Sequence, residues 1–143
     1  MKIPKILWLD DQFEDFYSYK AVLFRSGYLV ENVKSVSETE KKLREYDYVA
    51  VIFDLKVLPG CDVKWIQFNE QERKKNPYLD SILGFELLRS LLHSPKARVK
   101  IDPPIKLDPK KVIVFSNLIY SQYFLKNIGN YFFLIRFRLS KFI

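Results

Sequence analysis

The stretch Lys5-Ile6-Leu7-Trp8-Leu9-Asp10-Asp11 is a short apolar run closed by two carboxylates. It has strand length and no polar residue at alternate positions, which suits a strand buried on both faces. The same format recurs twice. Tyr48-Val49-Ala50-Val51-Ile52-Phe53 is β-branched and continuous, and Asp54 follows at once. Lys111-Val112-Ile113-Val114-Phe115 is followed by Ser116.

The segments between these runs have helical period. Residues 13 to 26 carry Phe16, Tyr19, Leu23 and Phe24 at i, i+3, i+4 spacing, and Gly27 stops the pattern. Tyr28 to Val33 reads as a second strand. A second helix is expected from Ser37 to about Tyr46, with Ser37 as N-cap and Glu40 completing a capping box. Leu83 to Leu92 sets Leu83, Leu87, Leu88 and Leu91 on one face, residues 119 to 127 read as a short helix before Gly129, and the chain is strand-like from Tyr131. Strands alternating with helices form a parallel sheet with right-handed crossovers. Such sheets take ligands just beyond the carboxyl ends of their strands, where Asp10, Asp11, Asp54 and Ser116 stand. One domain over residues 1–143 is expected, with insertions at about 59–82 and 93–110.

Composition agrees with a packed domain. Of 143 residues, 48% are hydrophobic and 16% aromatic, enough to bury a core. The formal net charge of +7 is spread along the chain. The densest basic stretch, Lys96 to Lys111, is broken by Pro103, Pro104 and Pro109 and preceded by Pro95, so it reads as a loop and no nucleic-acid partner is expected. Cys61 is the single cysteine, which excludes an intrachain disulfide and a Cys/His metal cluster. No run of about 18 apolar residues suggests a transmembrane helix. With no signal peptide expected either, a cytoplasmic location and no membrane partner are the default reading.

Carboxylates gathered at strand ends repel one another. A raised pKa on one relieves this, and so does a hard cation such as Mg²⁺, which is held by one or two carboxylates together with phosphate oxygens. A carboxylate beside such an ion acts as a nucleophile toward phosphorus and yields an aspartyl-phosphate. Ser116 offers a hydroxyl to the same pocket. A single Asp after a strand is more often a helix N-cap. A pair on the first strand, one on the third and a Ser on the fourth favour a functional cluster.

These residues resemble the response-regulator receiver family of two-component signalling. The matching segments are Leu7-Trp8-Leu9-Asp10-Asp11, Val51-Ile52-Phe53-Asp54-Leu55, Gly84-Phe85-Glu86-Leu87-Leu88 and Val112-Ile113-Val114-Phe115-Ser116. The resemblance implies a doubly wound, flavodoxin-like α/β fold with a five-stranded parallel sheet in the order 2-1-3-4-5. It implies Asp54 as phosphoacceptor and Mg²⁺ held by Asp10, Asp11, Asp54 and the backbone carbonyl of Lys56. It also implies Ser116 as the hydroxyl that binds the phosphoryl group. The family's donor is a histidine kinase or phosphotransfer protein, and its output is a protein contact whose partner this sequence does not name. No dedicated enzyme is expected beyond Mg²⁺-dependent self-phosphorylation and autodephosphorylation.

The chain departs from the family at four places. Residues 59–82 separate Pro59-Gly60 from the Gly84 helix start, either as a surface excursion with local aromatic packing or as a lid or docking surface. Asn117 follows Ser116 where the family has a small residue, and Lys56 sets a long cation at the pocket mouth. The family's last-strand lysine has two candidates. The spacing from Gly129 lands on Arg136, with Phe133 at the aromatic switch position. Lys141-Phe142 fits the chemistry of a compact ammonium better and is favoured. Finally, the family's last helix is missing, which leaves the alternating strand Phe133 to Ser140 uncovered and suggests a homodimer through this end. The leading function is a phosphorylatable receiver. The alternative is a pseudo-receiver that acts as an interaction module. A haloacid-dehalogenase-like phosphatase ranks last, because Asp10 and Asp11 are adjacent rather than two apart.

Overall fold

A computed structural model describes residues 2–75, 77 and 83–115, together with the backbone of 134–136. The elements run β1 (Lys5–Leu9), α1 (Tyr17–Arg25), β2 (Leu29–Val33), α2 (Val36–Glu45), β3 (Ala50–Phe53), α3 (Val63–Lys75), α4 (Leu83–Leu91), β4 (Val112–Phe115) and β5 (Leu134–Arg136). A 3-10 turn at Phe13–Phe16 precedes α1. The strands form one parallel sheet in the order β2-β1-β3-β4-β5. This is the topology expected from the alternation of strands and helices and from the family resemblance.

The two-faced burial of β1, β3 and β4 follows from their composition. Leu7, Leu9, Val51, Phe53, Val112 and Val114 point to one face, where they join residues of α2, α3 and α4. Ile6, Trp8, Ile52 and Phe115 point to the other, where Phe16, Tyr19 and Leu23 cover them. On that second face Trp8 stacks on Phe16 at 5.3 Å, and Phe115 closes edge-on at 5.7 Å. β2 is an edge strand and carries Glu31 and Asn32 accordingly.

Several boundaries differ from the sequence reading. Helix α2 is capped by Ser35, whose hydroxyl accepts from the Glu38 amide at 3.2 Å. Ser37 does not cap it. Its hydroxyl instead donates to the Pro59 carbonyl at 2.5 Å and accepts from the Asp62 amide at 3.1 Å. The polar run that suggested a start at Ser37 is therefore shared between a cap and a tie to the following loop. β3 begins at Ala50; Tyr48 is buried as a side chain outside the strand.

The 59–82 segment is more than a surface excursion. Its described part builds α3, and Trp65 and Phe68 are buried in the main core rather than packed only on one another. The 93–110 segment adds Val99, Ile101 and Ile105 to the same core. It is fastened by Glu86, a buried carboxylate on α4 that accepts from the Val99 amide at 2.9 Å and from the Arg98 amide. Of the strand Phe133 to Ser140, through which a C-terminal homodimer is expected, only the backbone of 134–136 is described; the helix expected at 119–127 and the question of a final helix lie outside the described residues. Among the described residues no helix is long and apolar enough to cross a membrane.

Candidate functional site

The register sets the candidate site on one line across the carboxyl edge of the sheet. Leu9 pairs with Phe53, Phe53 with Val114, and Val114 with Ile135. One step further lie Asp10, Asp54, Phe115 and Arg136. On the outer side, Leu9 pairs with Val33, so Lys34 is the matching residue beyond β2. Neighbouring parallel strands are about 4.8 Å apart, which brings these residues within reach of common ligands.

The backbone fixes this edge. The Asp10 amide donates to the Val33 carbonyl at 2.9 Å, and the Asp54 amide to the Leu9 carbonyl at 2.8 Å. Asn32 reaches across from β2 and donates its side-chain amide to the Trp8 carbonyl at 3.0 Å. Asp10 is buried, and its Oδ1 accepts from the Gln12 amide at 2.8 Å. Asp54 is half-buried and accepts from the Lys56 amide at 3.4 Å. Asp11 is half-buried beside them. One carboxylate oxygen from each of Asp10, Asp11 and Asp54 lies within 4.8 Å of the others, and this is the acidic trio that the described residues bring together.

The loop after Asp54 is held on both sides. Val36 donates its amide to the Leu58 carbonyl at 3.0 Å, and Ser35 and Leu58 form a parallel bridge. On the other side the Gly84 amide donates to the Leu55 carbonyl at 3.0 Å. A Cβ at Gly84 would collide with the Asp54 carbonyl oxygen, so α4 approaches the site as closely as only glycine permits.

Of the remaining sequence candidates, Lys56 is exposed in this loop. Arg136 is placed by its backbone beside Phe115, on the row of Asp54. Ser116, Asn117 and Lys141 lie outside the described residues. Two charged residues near the site, Lys34 and Glu14, belong to no motif, and sequence reasoning misses them. Lys34 binds Glu14 at 2.8 Å. Donating this hydrogen bond to Glu14 holds the Lys34 ammonium above the ordinary lysine range, and the charge of Asp11 adds to it. The same bond holds the Glu14 carboxyl below its ordinary value. The one signal that could have found Lys34 is its position directly after β2, matching Asp10 after β1.

Solved structures share this architecture. The N-terminal domain of a response regulator receiver protein from Methanoculleus marisnigri JR1 is 15% identical, with a TM-score of 0.57, over 99% of this chain and 89% of that one. The non-phosphorylated HemR receiver domain from Leptospira biflexa is 22% identical, with a TM-score of 0.53, over 97% and 87%. The chain has the receiver-domain fold. A sensor protein from Polaromonas sp. JS666 is also similar, at 19% identity and a TM-score of 0.46 over 80% of this chain; the chain spans 66% of that protein. The sequence itself matches no protein-family model and none of the curated proteins. Within this fold, the acidic trio occupies the ligand-binding edge that a doubly wound sheet offers.

Proposed function

We propose that this chain is a signalling receiver that takes a phosphoryl group onto Asp54. The observation that carries the reading is the convergence of Asp10, Asp11 and Asp54 on the carboxyl edge of a receiver-type sheet. Three oxygen donors, one of them buried, fit a hard divalent cation such as Mg²⁺. Asp10, Asp11, Asp54 and the Lys56 carbonyl would hold it, and its charge would offset that on the phosphoryl oxygens.

The chain's own part is to present a nucleophile. An oxygen of Asp54 attacks phosphorus in line, the donor's P–N bond breaks, and the imidazole of a histidine kinase or phosphotransfer protein leaves with the electron pair. The backbone bonds of Asp54 to Leu9 and of Leu55 to Gly84 keep that carboxylate at the edge while the donor approaches. Ser116, and either Arg136 or Lys141, would bind the phosphoryl oxygens afterwards. The resulting charge and contacts then bias two states of the domain, and a protein partner reads the difference.

Incubation with Mg²⁺ and acetyl phosphate should add the mass of one phosphoryl group, and beryllofluoride should bind. Asp54→Asn should lose both responses. An unresponsive wild type, or a variant that responds equally, rejects the proposal and leaves a phosphorylation-independent interaction module.

A further inference from the structure

We propose that Lys34, tethered by Glu14, is a positioning residue that sets how tightly the Asp10–Asp11–Asp54 pocket holds its divalent cation. The inference rests on the metal-binding reading given above.

Three observations carry it. Lys34 stands beyond β2 in register with Asp10, one strand from the trio, and the Asp10 amide is bound to the carbonyl of its neighbour Val33. Its ammonium does not close on the trio; it binds Glu14 at 2.8 Å, in the turn that follows Asp10-Asp11-Gln12. The backbone of Lys34 is also fixed, since its amide donates to Glu38 at 3.3 Å and its carbonyl accepts from Leu58 at 3.4 Å. A cation is thus held at a set place beside three carboxylates, and a fourth carboxylate determines which way it points.

The consequence is electrostatic. An ammonium repels an incoming divalent ion, and Glu14 both screens that charge and keeps it from swinging onto Asp11. Both side chains are about half exposed, so the effect is that of charges in a high-dielectric medium. Removing Lys34 takes away a repelling charge, and cation binding tightens. Removing Glu14 takes away an attracting charge and frees the ammonium to occupy the pocket, and binding weakens. A purely structural ion pair would behave differently, because breaking it from either side would change affinity in the same direction.

Calorimetric titration with Mg²⁺ at low ionic strength tests this on the intact chain. Lys34→Gln should bind Mg²⁺ about three- to tenfold more tightly than wild type, and Glu14→Gln more weakly by a similar factor. The double variant Glu14→Gln, Lys34→Gln should return close to wild type, and high salt should shrink all the differences. Shifts of the same sign in the two single variants, or an unchanged affinity in Lys34→Gln, would overturn the inference while leaving the metal site standing. A wild type that binds no Mg²⁺ would overturn the metal site and this inference together.

Discussion

Gly84 shows how one residue ties the site to the scaffold. Its amide bonds Leu55, and its missing side chain leaves room for the Asp54 carbonyl. Alanine there would drive a Cβ into that oxygen and set it 3.0 Å from the Leu55 Cα. Backbone on both sides cannot yield as a flexible side chain would. Gly84→Ala should therefore cost about 2–4 kcal/mol in stability, as overpacking against a buried backbone does, and displace the Asp54 loop. Urea denaturation measures the first effect and Mg²⁺ titration the second; an alanine variant as stable as wild type would contradict the close approach. Asp10, Asp11 and Asp54 are legible in the sequence because each stands at the end of an unmistakable buried strand. Lys34 and Glu14 are not, since a surface lysine and glutamate twenty residues apart give no local pattern. Only the pairing of β1 with β2 brings them together.

At the scale of elements, β1, β3 and β4 are readable because their apolar runs allow little other than a two-faced strand, whereas the sheet order follows from the resemblance to receiver domains and not from the runs themselves. The helix starts are less so. Ser35, Ser37 and Glu38, Glu40 offer two overlapping capping patterns, and the choice falls to Ser35 because Ser37 is drawn away by Pro59 and Asp62. Helix α3 is hidden for a different reason. Its sequence has a weak amphipathic pattern, with Trp65 and Phe68 set among Lys64, Gln67, Asn69 and Glu70. Its place is decided by tertiary contacts: the Trp65 indole donates to Glu40 at 3.3 Å, Lys64 binds Glu40 at 2.9 Å, and Arg98 binds Glu72 at 2.6 Å. The segment that interrupts the family pattern is thus part of the core. Trp65 is fully buried, so Trp65→Ala should cost about 3–5 kcal/mol, in the range of a large core aromatic. Thermal unfolding followed by circular dichroism would show the loss. An unchanged midpoint would mean that α3 is an appendage after all.

Over the whole molecule, the charge pairs fix how stability depends on pH. On the edge strand, Glu31 accepts hydrogen bonds from Tyr48 and Lys5, and both hold its carboxyl below the ordinary 4.5. Arg98 lowers Glu72 in the same sense. A carboxyl depressed in the folded chain contributes stability that is complete above its unfolded value and is lost as pH falls through the folded one. The acid limb should therefore begin below about pH 4.5 and not near neutrality. The alkaline side has the opposite sign. Burial, then the bond to Glu31, raises the Tyr48 hydroxyl above its ordinary 10.0, and the bond to Glu31 raises Lys5 above 10.5. The folded chain then holds protons that the unfolded chain releases, so stability is complete below about pH 10 and falls above it. Tyr48→Phe removes one of these protons and one of the bonds to Glu31. It should lower stability at neutral pH, flatten the alkaline limb, and shift the acid limb upward as Glu31 moves toward its ordinary value. Urea midpoints measured across the pH range would show all three changes. A variant whose alkaline limb keeps the wild-type slope would mean that the Tyr48 proton plays no part in it, and that lysines such as Lys5 alone set that edge.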